Sequence, residues 1–398
     1  MRGEGTEAKA RRAGPQTYGL GLMLGGGGAR AAYQAGVMAH IGRRLPDLSV
    51  PILTGVSAGA INIGFLASHC GSLRDAVESL CRKWCSLTTE EVFRADPWSL
   101  MWIAARWGTG LLSGGMRLAP RARSLVNTEP LRHFLARSID TTGIVANLRS
   151  GRLRSVAISA LSYQTGRTVT FVQSRAPVVP WERVQHRSAR ARLTVDHITA
   201  SAAIPILFPA VKVGQQWYGD GSFRFTAPLS PAIHLGADRV LAISSRYGQS
   251  SAEARRPDML GYPPPAQILG LIFNSVFLDT LDDDAARLER INGLLARLPE
   301  ADRATVPLRR VDLLVLRPSK DVGRLALEYE ASLPRTLRFF VKGLGTAESR
   351  SNDFLSYLLF ESTYVSRLIR LGEEDAEERW EEIAEFLLAG REAGAAAS

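Results

Sequence analysis

Gly19-Leu20-Gly21-Leu22-Met23-Leu24-Gly25-Gly26-Gly27-Gly28-Ala29-Arg30 carries a short apolar run straight into four glycines, and Ala31–Arg44 follows as a helical segment. Strand, glycine turn and helix in that order begin a parallel sheet covered by helices. Consecutive glycines let backbone N–H groups converge on one point, because no Cβ blocks the approach. The helix behind them adds the partial positive charge of its N-terminus. Such a turn holds an anion, either the phosphate of a nucleotide or the oxyanion of a tetrahedral intermediate. A flexible tight turn is the plainer alternative.

Outward from this unit, the chain from Tyr18 to about Ser245 alternates β-type runs with helical segments. Candidate strands are Gly19–Leu24, Ile52–Leu53, Ser155–Leu161, Thr168–Gln173, Trp217–Tyr218 and Val240–Ser244. Candidate helices are Ala31–Arg44, Ala58–Ser68, Leu73–Trp84 and Val195–Ala202. The Pro- and Arg-rich stretch Arg255–Pro265 predicts a linker or exposed loop. Beyond it the pattern is mostly helical, over Gln267–Leu294 with an acidic turn at Asp282–Asp284, then near Phe354–Leu371 and Glu374–Ala389. One further strand is expected at Asp312–Arg317. The expected fold is a three-layer α/β/α architecture with a mainly parallel central sheet. Residues 1–17 read as a disordered basic arm, 18–245 as the main α/β domain, and 246–398 as a mainly helical C-terminal extension packed on the core.

Gly55-Val56-Ser57-Ala58-Gly59 sits between the β-type run Pro51–Leu53 and the helix beginning at Ala58. That context suits a nucleophile elbow, in which small neighbours allow a sharp strand-to-helix turn and the serine projects into a cleft. Ser57 as an ordinary helix N-cap is the alternative. The two motifs together discriminate between anions. A dinucleotide site wants an acidic residue about 20 residues after the glycines, ending the second strand. Asp47 precedes that strand instead, and no Gly-Lys-Ser/Thr makes a nucleotide P-loop. The glycine loop is better explained as an oxyanion hole.

A nucleophilic serine needs a base. None of the histidines His40, His69, His133, His186, His197 and His234 lies in an obvious catalytic context, and His40 and His69 fall at or near predicted helix ends. Asp220 looks different. It closes the β-type run Trp217-Tyr218-Gly219-Asp220-Gly221-Ser222 on a tight turn that lets a carboxylate approach another backbone. An Asp-Gly hairpin turn is the alternative there.

In these residues the sequence resembles the patatin-like phospholipases. The likeness covers the glycine turn with Ala29–Val37, Gly55-Val56-Ser57-Ala58-Gly59, the stretch Ala200–Pro209, and Asp220-Gly221. It implies a Ser–Asp dyad without a catalytic histidine, acting on acyl esters of lipids. Carried onto this chain, Ser57 attacks the ester carbonyl, Asp220 is the base, and the N–H groups of Gly26, Gly27 and Gly28 bind the oxyanion. Gly55, Gly59 and Gly221 shape the motifs. No cofactor or metal is implied. Two positions depart from the family pattern: Ala31 and Ser222 stand where glycine, or glycine or alanine, is usual. An aspartate of ordinary pKa near 4 is a poor base, so burial must raise it.

The net charge of +10 favours anionic surfaces, either phospholipid headgroups or nucleic acid. Nucleic acid is the weaker partner, because zinc-finger spacing, RNA-binding aromatics and a basic zipper are all missing from the sequence. Cys70, Cys81 and Cys85 make neither a disulfide framework nor a zinc site. No run of about 18 apolar residues suits a spanning helix, so cytoplasmic residence with peripheral contact at the inner membrane surface is expected. Trp98, Trp102 and Trp107, spaced at near-helical intervals, suit a headgroup interface, a lipid-binding lid or a core stripe. Leu269–Leu281 could line an acyl cleft or pack the core. Two rival functions remain: an α/β-hydrolase triad of Ser57, Asp220 and His234, and a lipid-binding or regulatory module with an inactive cleft, supported by Ala31 and Ser222. Against the triad, Ser57 follows only the second strand and His234 follows Asp220 too closely.

Overall fold

The computed structural model describes residues 19–94, 124–249, 262–303, 305–345 and 352–389, together with Glu253 and Arg255. The arm at 1–17, the three tryptophans Trp98, Trp102 and Trp107, most of the Arg255–Pro265 stretch and the chain end lie outside the described residues.

Among the described residues one nine-stranded sheet organises the fold. Its strands are β1 Leu20–Leu24, β2 Ile52–Val56, β3 Ser155–Ser162, β4 Thr168–Ser174, β5 His186–Arg190, β6 Val211–Val213, β7 Gln216–Asp220, β8 Arg239–Ile243 and β9 Asp312–Leu316. The order is β5-β4-β3-β2-β1-β8-β9, with β6 and β7 off this path. From β3 across β2, β1 and β8 to β9 every pairing is parallel, whereas β4 and β7 run antiparallel to β3. The C-terminal extension therefore supplies the edge strand β9 to the same sheet.

Strand side chains alternate between two apolar layers, as the pleat requires. Leu22 and Leu24 of β1, Leu241 and Ile243 of β8, and Leu314 and Leu316 of β9 enter the larger core. Met23, Val240, Ala242, Leu313 and Val315 enter the smaller one on the opposite face. Burial on both faces explains why these strands read as continuous apolar runs.

On the larger core lie α1 Ala32–Arg44, α2 Ala58–Ser68, α3 Leu73–Ser86, α4 Glu129–Ser138 and α5 Val195–Ser201. The extension contributes α6 Pro265–Phe277, α7 Asp279–Arg297, α8 Arg335–Gly343, α9 Asp353–Leu358, α10 Ser362–Glu378 and α11 Trp380–Leu388. Leu281, Ala285 and Leu288 of α7 cover the smaller core.

The structure adds β5, β6, α4 and α8 to the elements read from sequence, divides the expected helix Gln267–Leu294 into α6 and α7, and differs in two further details. Asp282–Asp284 lie within α7 rather than in a turn; acidic side chains suit the first turns of a helix. There Asp282 pairs with Arg246 and Arg317, and Asp284 accepts the Leu229 N–H. The helical stretch near Phe354–Leu371 is broken between α9 and α10, where Leu359 and Phe360 turn inward and Phe360 stacks on Trp84. No helix among the described residues is long and apolar enough to cross a membrane.

Candidate active site

The sheet register brings the two chemical motifs together. β2 ends with Val56 opposite Ser159 of β3, and Ser57 turns away from the sheet there. β7 takes over the vacated edge of β3 at the next residue, pairing Asp220 with Ala160. Two segments 163 residues apart thus end side by side, and Ser57 Oγ donates a 2.5 Å hydrogen bond to Asp220 Oδ2.

Ser57 holds a positive φ of 56°, a strained conformation for a residue with a side chain. Its surroundings fix that conformation. The Ser57 N–H donates to Ser201 Oγ at 2.9 Å, and Ser201 in turn donates to the Ser159 carbonyl at 2.6 Å. Gly59 completes the elbow, since a Cβ there would come within 2.2 Å of the Leu24 carbonyl oxygen. Gly55 and Gly221 likewise lie where a side chain would strike neighbouring backbone.

Asp220 is fully buried. Loss of hydration pushes its carboxyl up to about 7, opposed by hydrogen bonds from Ser57 and from the Ser222 N–H, which reaches Oδ1 at 2.9 Å. The Ser222 hydroxyl is buried beside Gly26 and has no hydrogen-bond partner among the described residues.

The glycine loop is built so that its amides face inward. Gln34 Nε2 donates to the Gly25 carbonyl at 2.9 Å, Ser245 Oγ to the Gly26 carbonyl at 2.5 Å, and the Arg30 N–H to the Gly27 carbonyl at 3.1 Å. In a trans peptide the C=O and the following N–H point in opposite directions. Pinning three carbonyls therefore aims the N–H groups of Gly26, Gly27 and Gly28 the other way. None of these amides finds an acceptor among the described residues, although buried amides are nearly always paired. Gly28 has φ +56°, and a Cβ on it would stand 2.3 Å from the Tyr357 carbonyl oxygen, so no side chain fits. Ala31 has a right-handed helical backbone and is buried, so its methyl is accommodated where the related pattern has glycine.

Ser57 also lines an apolar pocket, whose empty space of about 720 Å³ includes volume open to solvent. Ala58, Ile61 and Phe65 of α2, Leu80 and Trp84 of α3, and Leu131 and Leu135 of α4 line it, and among the described residues Lys83 is the one charged residue in its lining. Phe65 lies two helical turns from Ser57, about 12 Å along α2. Leu269–Leu281 do not line this cavity: α6 packs Phe273 and Phe277 against Tyr357 and keeps its other face in solvent.

No histidine is hydrogen-bonded to Ser57 or Asp220. His234 stacks on Trp181 with ring centroids 4.8 Å apart, which removes it from a triad. His40 is buried in the body of α1 against Trp380 rather than solvated at a helix end. His69 does cap α2. Among the described residues no cluster of metal-ligating side chains occurs.

Sequence reasoning alone did not single out Ser201, Gln34 and Ser245. The first two lie inside the stretches Ala200–Pro209 and Ala29–Val37 that carry the family resemblance, which was their available signal. Ser245 follows β8 with no motif around it.

Comparison with known proteins places these features. The family model described as patatin-like phospholipase matches residues 22–233, which span the glycine loop, Ser57 and Asp220. No curated protein matches the chain. Among solved structures, human GIVD cytosolic phospholipase A2 is similar at 12% identity and a TM-score of 0.47, over 93% of this chain and 60% of that one. VipD from Legionella pneumophila is similar at 10% identity and a TM-score of 0.31, over 90% of this chain and 67% of that one. ExoU in its complex with SpcU from Pseudomonas aeruginosa is similar at 15% identity and a TM-score of 0.29, over 94% and 78%. The chain spans about 60% of the length of the cytosolic phospholipase.

Proposed function

We propose that this chain, which belongs to the patatin-like phospholipase family, hydrolyses acyl esters of phospholipids or related lipids through a Ser57–Asp220 dyad. The carrying observation is the 2.5 Å hydrogen bond from a strained, exactingly held serine to a buried carboxylate of raised pKa. Residues 18–245 form the catalytic unit in this reading, with 246–398 packed on it.

Ser57 Oγ attacks the ester carbonyl carbon as its proton passes to Asp220. Negative charge gathers on the former carbonyl oxygen, which the N–H groups of Gly26, Gly27 and Gly28 receive. The N-termini of α1 and α2 both favour charge at that point. Collapse breaks the ester C–O bond, and the leaving alcohol takes the proton from Asp220. Water then attacks the acyl-enzyme, giving a proton to Asp220. The second collapse returns that proton to Ser57 and frees the fatty acid. No metal takes part in this scheme. The cavity along α2 takes the acyl chain, and its apolar lining makes long-chain esters the fitting class. Contact with the lipid is peripheral, and the net charge of +10 favours anionic membranes.

Covalent labelling by a fluorophosphonate probe tests this reading. Wild type should label, Ser57→Ala should not, and Asp220→Asn should label much more slowly. An unlabelled wild type would remove the hydrolase reading and leave a lipid-binding module with this cleft.

A further inference from the structure

Helix α6, Pro265–Phe277, has no charged residue in thirteen positions. A helix apolar on all sides belongs in a protein core or against lipid. Here only half of it is covered. Ala266, Gly270, Phe273 and Phe277 face inward, and Phe277 comes close to Gly26 of the glycine loop. Ile268, Leu271 and Ile272, at helical spacing on the opposite side, are 41%, 59% and 48% exposed. Three neighbouring aliphatic side chains in solvent form a contiguous patch on a helix whose C-terminal residue reaches the glycine loop.

Helix α8 adjoins it, because the Ala266 N–H donates to the Leu344 carbonyl at 2.9 Å just beyond the α8 C-terminus. Arg335, Phe339 and Lys342 share the exposed face of α8, at i, i+4 and i+7. Its sequence, RTLRFFVKG, contains three cations and no acid. Arg335 and Lys342 make no ion pair with any described residue. Apolar side chains beside unpaired cations are the composition that settles into an anionic bilayer surface, with aliphatic groups in the acyl boundary and cations at the headgroups. A protein partner would not need an uncharged helix set beside a wholly cationic one.

We propose that the outer face of α6, together with the exposed cations Arg335 and Lys342 of α8, docks on an anionic phospholipid surface and so brings the Ser57 cleft to its substrate. The functional half of this statement rests on the lipid hydrolase reading; the docking half does not.

The test is flotation of the full chain with vesicles of phosphatidylcholine containing one quarter phosphatidylglycerol, at low salt, beside hydrolysis of a soluble short-chain ester. Wild type should float with these vesicles and not with pure phosphatidylcholine. A Leu271→Asp/Ile272→Asp variant should lose at least tenfold in vesicle affinity, while its soluble-ester turnover stays within twofold of wild type. Arg335→Glu/Lys342→Glu should lose the preference for anionic vesicles, and serves independently if the aspartate variant folds poorly. Undiminished flotation of both variants would overturn the proposal. So would wild type that fails to float, or a stable dimer that the aspartate variant abolishes, since the face would then belong to a second copy. Flotation without any ester turnover would keep the docking surface and reject the hydrolase reading.

Discussion

The buried Arg30, which closes the glycine loop, forms an ion pair with the half-buried Asp353 of the extension, 323 residues later, at 2.6 Å. Its guanidinium also donates to Ser356 Oγ at 2.7 Å and lies 4.2 Å from the centre of the Tyr357 ring. Asn274 of α6 bonds the other Asp353 oxygen at 2.7 Å and accepts from the Tyr357 hydroxyl. The extension is thereby clamped onto the glycine loop, which in the proposed mechanism presents the oxyanion amides.

Removing Asp353 leaves the buried Arg30 guanidinium without its countercharge, which costs more than the pair itself contributes. Asp353→Ala should lower unfolding stability by about 3 kcal/mol in chemical denaturation. Loosening Gly27 and Gly28 should also reduce kcat with little change in KM. A variant equally destabilised elsewhere in the extension should not show that kinetic signature.

Asp220 must be ionised to accept a proton, and its carboxyl sits at about 7. The rate constant kcat/KM should rise about tenfold per pH unit below that value and level off above it. The profile should be measured between pH 5 and 9 on a soluble ester. A limb near pH 4 would mean that the carboxylate is hydrated in the working enzyme.

The same shift sets a cost in stability. A folded-state pKa above the ordinary carboxylate value means that the folded protein holds a proton the unfolded chain releases as pH rises from about 4 to 7. The contribution is fully present below about pH 4 and is lost as pH rises through about 7. Asp220→Asn escapes that loss. The variant should be more stable than wild type by about 2–4 kcal/mol at pH 8, with the gap closing near pH 4.

Gly28→Ala should abolish turnover. A methyl would meet the Tyr357 carbonyl at 2.3 Å, on a backbone whose φ of +56° already disfavours it. Either the loop or α9 must move, and the amides lose their aim. If the variant retained full turnover, Gly28 would have no part in holding the oxyanion.

Much of the site was legible because its parts are local patterns. The apolar run of β1 with its four glycines, the Ser57 elbow and the Asp220-Gly221 turn each announce themselves within a few residues. Their meeting is a property of register, since Val56 and Asp220 pair with successive residues of β3, and no local pattern encodes that. β5, with the sequence HRSAR, was missed because an edge strand with polar, partly exposed residues lacks apolar alternation. The Arg30–Asp353 clamp was invisible for a different reason. An arginine and an aspartate 323 positions apart look in sequence like two solvated charges, and only packing reveals that one of them is buried.

The apolar pocket beside Ser57, proposed to take the acyl chain, yields the most discriminating experiment on substrate. Ile61 lines it one helical turn below Ser57, between Ser57 and Phe65. Ile61→Trp would fill the middle of the space while leaving the elbow, Asp220 and the glycine loop untouched. Each methylene excluded from apolar burial forfeits about 0.8 kcal/mol. Excluding two or three should therefore lower kcat/KM for long-chain esters roughly thirtyfold relative to a butyryl ester. The short ester never reaches Ile61 and should turn over nearly as in wild type. A series of p-nitrophenyl esters from four to sixteen carbons would show the break in chain-length dependence. An equal loss at every length would instead mean that tryptophan had displaced Ser57, and that the acyl chain leaves the site by another path.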